Sequence, residues 1–250
     1  MSETVSARRG GEGTPVLVLI HGLGAVGEVW SGMLASAAER WPGRWIAPDL
    51  PGHGGSAPLE RYSFDTLAAS VARTVPKDEP LVLLGHSLGG VIALTLASGR
   101  FGLSVSAAIG LGIKVTWTDE ELAKVRALAG RANPVYPTRR EAAERYLKVA
   151  GLVGLLEPEL VGDSALRQRE DGWSTAFDPG AFGVGAPDMP TLLSASRAPV
   201  TLAAGERDPM SRPADLARLV PEPVVLPGLG HNAHVEDPAA VWSLVGRVVA

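Results

Sequence analysis

The stretch LVLLGHSLGGVIAL, residues 81–94, decides how the rest of this chain is read. Four apolar residues run into Gly85-His86-Ser87-Leu88-Gly89, and a nearly all-apolar segment follows, closed by Gly99. A continuous apolar run suits a strand buried on both faces, and such strands belong to parallel sheets. The pattern is therefore strand, sharp turn, helix. A G-x-S-x-G sequence in that setting is a nucleophile elbow. The turn lifts the Ser87 hydroxyl out at the carboxyl end of the sheet. It also crowds the positions two before and two after, and both are glycine here. The helix starting behind the serine offers free N–H groups and the positive end of its dipole to nearby negative charge. The plainer alternative, a glycine-rich turn without chemistry, leaves the flanking strand and helix unexplained.

Working outward, short runs of the same kind recur. They are PVLVLI (15–20), RWIAP (44–48), SVSAAIGLG (104–112), APVTLAAG (198–205) and EPVVLPG (222–228). Helical patterns lie between them. Residues 28–40 put Val29, Met33, Leu34 and Ala37 on one face, and residues 63–75 open on Ser63 as an N-cap. Residues 213–220 and 238–249 both begin with proline, a good first helical residue. An edge strand is expected around Val5 to Arg8. Alternating strands and helices predict a doubly wound, mostly parallel α/β sheet. The rhythm breaks over residues 113–186, where no strand-like run is visible. Helices are expected in TDEELAKVRALAGR, with Thr118 and Glu121 as a capping box, and in TRREAAERYLKVAGLVGLL, before a loop-rich tail. The expected organisation is a core of residues 1–112 and 187–250 with a helical cap inserted at 113–186.

Serine needs a base within reach, and the base needs an orienting group. With the nucleophile on an elbow, the chain order is serine, acid, histidine. Asp208 follows a buried strand in VTLAAGERDPM, and His231 follows the last strand in LPGLGHNAHVEDP. Rivals are Glu206 and Asp49 for the acid and His234 for the base. His21 and His53 read as braces of local backbone, and His86 as a side chain pointing away from the hydroxyl. His86 and Trp30 are nevertheless kept as candidate residues of the substrate pocket. A metal reading of His231, His234 and Asp237 lacks further convergent ligands.

HGLGAVG, residues 21–27, has the form G-x-G-x-x-G after a strand, as dinucleotide sites do. The acidic ribose partner of such a site is poorly placed, since Asp49 is too distant and lies within DLPGHG. HGLG, DLPGHGGS, GHSLGG, GERDPM and GLGHNAHVEDP follow one another in this order, and together they resemble the α/β-hydrolase superfamily over about residues 15–112 and 187–250. The resemblance implies that the loop after the third strand carries HG-x-G. It also implies that the Leu23 N–H, with that of Leu88, forms an oxyanion hole. The cap would roof the nucleophile, with DGWSTAFDP and VAGLVGLL lining an acyl pocket or forming the cap's own core.

Bulk properties exclude several classes. Net charge is −4 and no long basic run exists, so nucleic-acid binding is not expected. Cysteine is absent, which removes disulfides and thiolate metal sites. The first fifteen residues lack the apolar segment of a signal peptide, and no apolar run could span a bilayer. The expectation is a cytoplasmic serine hydrolase, monomeric or homodimeric, acting without metal or organic cofactor on a small, mostly apolar ester or related acyl compound. Thioesters, lactones and C–C bonds are alternatives on the same three residues. A ligand receptor that keeps the fold is the alternative from another class.

Overall fold

The apolar run at residues 81–84 opens β4 (Leu81–His86), the central strand of the sheet. The computed structural model describes residues 4–249. The other strands are β1 (Ala7–Gly10), β2 (Val16–Ile20), β3 (Trp45–Pro48), β5 (Val105–Leu111), β6 (Leu166–Arg169), β7 (Gly172–Thr175), β8 (Val200–Gly205) and β9 (Val224–Leu226). Seven of them form one sheet in the order β1-β3-β2-β4-β5-β8-β9. All its pairings are parallel except that of β1 with β3. The expected N-terminal edge strand is present, shifted to Ala7–Gly10.

Alternate residues of the central strands point to opposite faces, and both faces are covered. Leu17, Leu19, Val82 and Leu84 pack with Trp30, Met33 and Trp242. Val16, Val18, Ile20, Leu81 and Leu83 pack with Leu67, Val71, Ile92 and Leu96. The second layer comes from α1 (Phe64–Ala72) and α2 (Leu88–Ala97). Burial on both sides is why these strands read as unbroken apolar runs. β2 leads outward to β3, while β4 lies on the other side of β2. That reversal opens a crevice at the carboxyl ends of β2 and β4, the usual ligand position in open α/β sheets.

Residues 28–40 do not form one helix. A 3-10 turn at Gly27–Trp30 is followed by short helices Ser31–Leu34 and Ala37–Arg40. Ser31 Oγ donates to the Glu28 carbonyl at 2.6 Å and Ser36 Oγ to the Met33 carbonyl at 3.3 Å. Such hydroxyl bonds compete with the helical ladder. The helix expected at 213–220 is likewise short, Pro213–Leu216.

Between β5 and β8 the chain leaves the main sheet. It forms α3 (Asp119–Ala129) and α4 (Arg139–Ala150), each opened by a capping box, Thr118 with Glu121 and Thr138 with Glu141. α4 stops at Gly151, in left-handed conformation, and does not continue through Leu156. This region is not free of strands, contrary to expectation. β6 and β7 pair as an antiparallel hairpin joined by the two-residue turn Glu170-Asp171. Its arms, LRQR and GWST, are too short and polar to show as apolar runs. Ala142, Tyr146, Leu147 and Leu152 gather with Val161 and Leu166 in a separate cluster. Ala25 and Val26, from the loop after β2, belong to the same cluster. α5 (Met189–Ala195) returns to the main layer, where Met189 packs with Val91 and Leu94, and α6 (Pro238–Val249) closes the fold. No helix among the described residues is long and apolar enough to cross a membrane.

Candidate active site

The turn after β4 holds Ser87 at φ 51° and ψ −115°, the one non-glycine residue at positive φ among those described. Its neighbours explain both glycines. A Cβ on Gly85 would lie 2.0 Å from the Gly89 carbonyl oxygen, and one on Gly89 would lie 2.1 Å from that of Ile20. The Ser87 N–H donates to the Leu111 carbonyl at 2.8 Å, which ties the turn to the end of β5.

Asp208 follows β8 and is buried. Its Oδ2 accepts a hydrogen bond of 2.9 Å from His231 Nδ1. Its Oδ1 accepts from the N–H groups of Met210 and Ser211 at 2.8 and 3.0 Å. Burial works to raise the Asp208 carboxyl, but the His231 bond and charge and these two amides together hold it below the usual carboxylate range. Because Nδ1 donates to a carboxylate, Nε2 of a neutral His231 is left as an acceptor. His231 and Ser87 line one cavity.

The rivals are occupied elsewhere. Asp49 accepts from Gly27 and Gly55 N–H at 2.8 and 2.9 Å, and Glu206 from Gly228 N–H at 2.8 Å. Asp237 accepts from Ala239 and Ala240 N–H at the start of α6. His234 is fully buried, and neither of its ring nitrogens has a hydrogen-bond partner. No group of three or more histidine, aspartate or glutamate side chains is arranged to hold a metal ion among the described residues.

The glycine loop follows β2, the second strand of the described chain rather than the third. His21 Nδ1 donates to the Gly22 carbonyl at 2.8 Å and its Nε2 accepts from Leu50 N–H at 2.8 Å. His53 Nε2 accepts from Gly24 N–H at 3.1 Å, and its Nδ1 donates to the Pro51 carbonyl at 3.0 Å. Two amides that a phosphate would need, those of Gly24 and Gly27, are thus already bound. Leu23 and Leu88 both line the cavity, and the backbone N–H of neither meets a protein acceptor among the described residues. Burial pushes His21 down to about 4 and His53 to about 3, so both stay neutral acceptors.

The cavity holds about 240 Å³. Beside the residues above, its walls include Phe64 and Val91 from α1 and α2 and Val125, Val149, Phe182 and Val184 from the chain between β5 and β8. Its one lysine, Lys114, lies three residues beyond β5, where sheet-edge loops collect site residues, a position that the sequence itself marks. Lys114 bonds to Glu121 and lies 4.9 Å from the Trp117 ring centre. Two expectations need correction. Trp30 does not line this cavity; it is buried in the core against His234, with ring centres 4.4 Å apart. His86 does not point away; it lines the cavity beneath His231. Of VAGLVGLL, Val149, Ala150 and Gly151 line the cavity and Leu152 joins the cluster around Tyr146 and Val161, while Val153 is exposed.

Comparison with known proteins agrees with this fold. The model of a family described as "Alpha/beta hydrolase family" matches residues 17–244. A 2-succinyl-6-hydroxy-2,4-cyclohexadiene-1-carboxylate synthase of Enterobacter sp. (strain 638) is 31% identical, over 97% of this chain and 94% of that protein. Among solved structures, the thioesterase domain from the curacin biosynthetic pathway superposes with a TM-score of 0.77 at 26% identity, covering 97% of this chain and 95% of that one. E-2-(acetamidomethylene)succinate hydrolase superposes with a TM-score of 0.78 at 20% identity, over 98% of this chain and 99% of that one, a likeness of fold.

Proposed function

Because the chain belongs to the alpha/beta hydrolase family, we propose that it is a serine hydrolase cleaving small, mostly apolar carboxylic esters through an acyl-enzyme on Ser87. The observation that carries this reading is His231, held by Asp208 through a bond of 2.9 Å and lining the same cavity as the strained Ser87 and the residues Leu23 and Leu88, whose N–H groups meet no protein acceptor among the described residues. His231 Nε2 takes the Ser87 proton as the hydroxyl oxygen attacks the ester carbonyl. The carbonyl oxygen becomes an oxyanion and accepts from the Leu23 and Leu88 N–H groups. His231 then gives the proton to the leaving alkoxide, and the alcohol departs. Water, deprotonated by His231, attacks the acyl-enzyme and returns Ser87. Asp208 keeps the imidazole in the Nδ1–H tautomer and offsets its charge when it becomes imidazolium.

Residues 113–186 act as the cap in this reading, since Val125, Val149, Phe182 and Val184 supply the far wall of the cavity. The substrate class follows from size and polarity. A cavity of about 240 Å³ is below the ~300–1,000 Å³ of drug-sized ligand sites, so the acyl group is small. The name of the Enterobacter relative describes a product with a ring carboxylate and a succinyl arm. Two such anions would need cations in the wall, and the one lysine there is already paired with Glu121. The apolar walls favour an uncharged acyl group instead.

A panel of short-chain p-nitrophenyl esters tests the proposal, with Ser87→Ala as control. Turnover of at least one ester, abolished by the substitution, is expected. Stoichiometric ligand binding without turnover would point to a receptor instead, and an active Ser87→Ala enzyme would remove the nucleophile from the scheme.

A further inference from the structure

His86 meets both the base and the glycine loop. It immediately precedes Ser87 in the chain. Its Nε2–H donates to the main-chain carbonyl of His231 at 2.9 Å, and no other donor reaches that carbonyl among the described residues. A carbonyl can only accept, so the proton of a neutral His86 is on Nε2, and Nδ1 carries a lone pair. That nitrogen faces the glycine loop, where a Cβ on Gly22 would lie 2.8 Å from it. One imidazole ring thus spans from the loop that carries Leu23 to the backbone of the base.

Behind it lies a column of rings. His86 packs on His231 with ring centres 4.7 Å apart and on His234 at 4.4 Å, and His234 packs on Trp30 at 4.4 Å. The ring nitrogens of His234 and Trp30 Nε1 are buried without hydrogen-bond partners. Ring contact therefore holds the back of the column, and the polar bond of His86 is directed at His231. A phenyl ring at position 86 would fill the same space without that bond. We propose that His86 is a positioning residue: its Nε2–H fixes the main chain of His231, and its ring sets the gap between the base and the oxyanion loop. The titratable groups facing it are His21, His231 and His234, and burial keeps His86 neutral, so the bond persists across the neutral range.

The proposal rests on Ser87 and His231 as nucleophile and base, and the experiment separates the two claims. His86→Phe and His86→Gln are compared with the native enzyme on a short p-nitrophenyl ester, together with the rate at which a fluorophosphonate labels Ser87. His86→Phe is expected to lower kcat and the labelling rate about 10- to 100-fold, with KM nearly unchanged, as for a base displaced by a fraction of an ångström. His86→Gln, which restores a donor, is expected to recover most of the loss. A phenylalanine variant with native kcat, or a folded glutamine variant as slow as phenylalanine, overturns the proposal. The native protein gives a second reading that needs no folded variant. ¹⁵N spectra of histidine-labelled enzyme should show His86 as the Nε2–H tautomer, and the Nδ1–H tautomer would overturn the proposal equally. If Ser87→Ala also abolishes turnover in that case, only the role of His86 falls.

Discussion

Ser87 is held in a conformation that L-residues rarely adopt. Replacing it with alanine adds no atom to the turn and removes the proposed nucleophile. Turnover should fall by ~10⁴–10⁶ with the unfolding midpoint nearly unchanged, as steady-state kinetics and urea titration of Ser87→Ala would report. Asp208→Asn should cost ~10⁴ in kcat, because the amide can donate to Nδ1 and so favours the wrong tautomer of His231. Gly89→Ala is a different kind of change. Its methyl would meet the Ile20 carbonyl oxygen at 2.1 Å, so the variant should lose ~2–4 kcal/mol of stability in urea titration. Ser87, Asp208 and His231, the residues of the proposed mechanism, stand out in the sequence because each sits in a short motif at a strand end. Their neighbours could not. His86 reads as an ordinary elbow residue until its bond to the residue 145 positions away is seen.

Helices and strands were legible where their signals are local. Ser63, Thr118 and Thr138 each cap the helix that follows through a side-chain oxygen, and Thr138→Ala should cost about 1 kcal/mol, measurable as a lower urea midpoint. The two strands at 166–175 escaped notice because Arg167, Gln168 and Arg169 are exposed and give no alternation to see. The helix expected over 28–40 failed for the opposite reason, since its periodicity was sound but its serines bond to the backbone. α3 has a capping box yet no buried residue, whereas α4 buries Ala142, Ala143, Tyr146 and Leu147. Hydrogen exchange should therefore find the amides of 119–129 far less protected than those of 139–150. Equal protection would mean that α3 is held by more than its present contacts.

In the molecule as a whole, histidines bind the interior together. His21, His53, His86 and His234 are buried, and burial lowers each below its ordinary value of 6.5, to about 4, 3, well below, and about 3 respectively. The sign follows from linkage. Above about pH 6.5 these rings are neutral both folded and unfolded, so their stabilising contribution is intact. As the pH falls below that value the unfolded chain binds protons that the folded chain refuses, and stability drops until the folded values are reached. Each ring costs up to ~1.4 kcal/mol per pH unit, so His21, His53 and His234 alone would remove ~8 kcal/mol over two units, much of a stability of ~5–15 kcal/mol, and His86 acts in the same direction. Urea midpoints should decline steeply from pH 6.5, ending in acid unfolding near pH 4; a flat profile would contradict the buried neutral rings. The doubly wound sheet was legible because six apolar runs marked its strands. How residues 113–186 join it was not, since Ala25 and Val26 share a cluster with Ala142 and Leu166 only through the fold.

The interior histidines also set the electrical behaviour of the surface. The sequence isoelectric point of about 5.8 counts imidazoles as free to charge near that pH, and in the folded chain four of the five are not. The native protein should therefore focus at a lower pH than the same chain in strong urea. Its outward charge should also change little between neutral and mildly acidic solution, until the fold itself gives way.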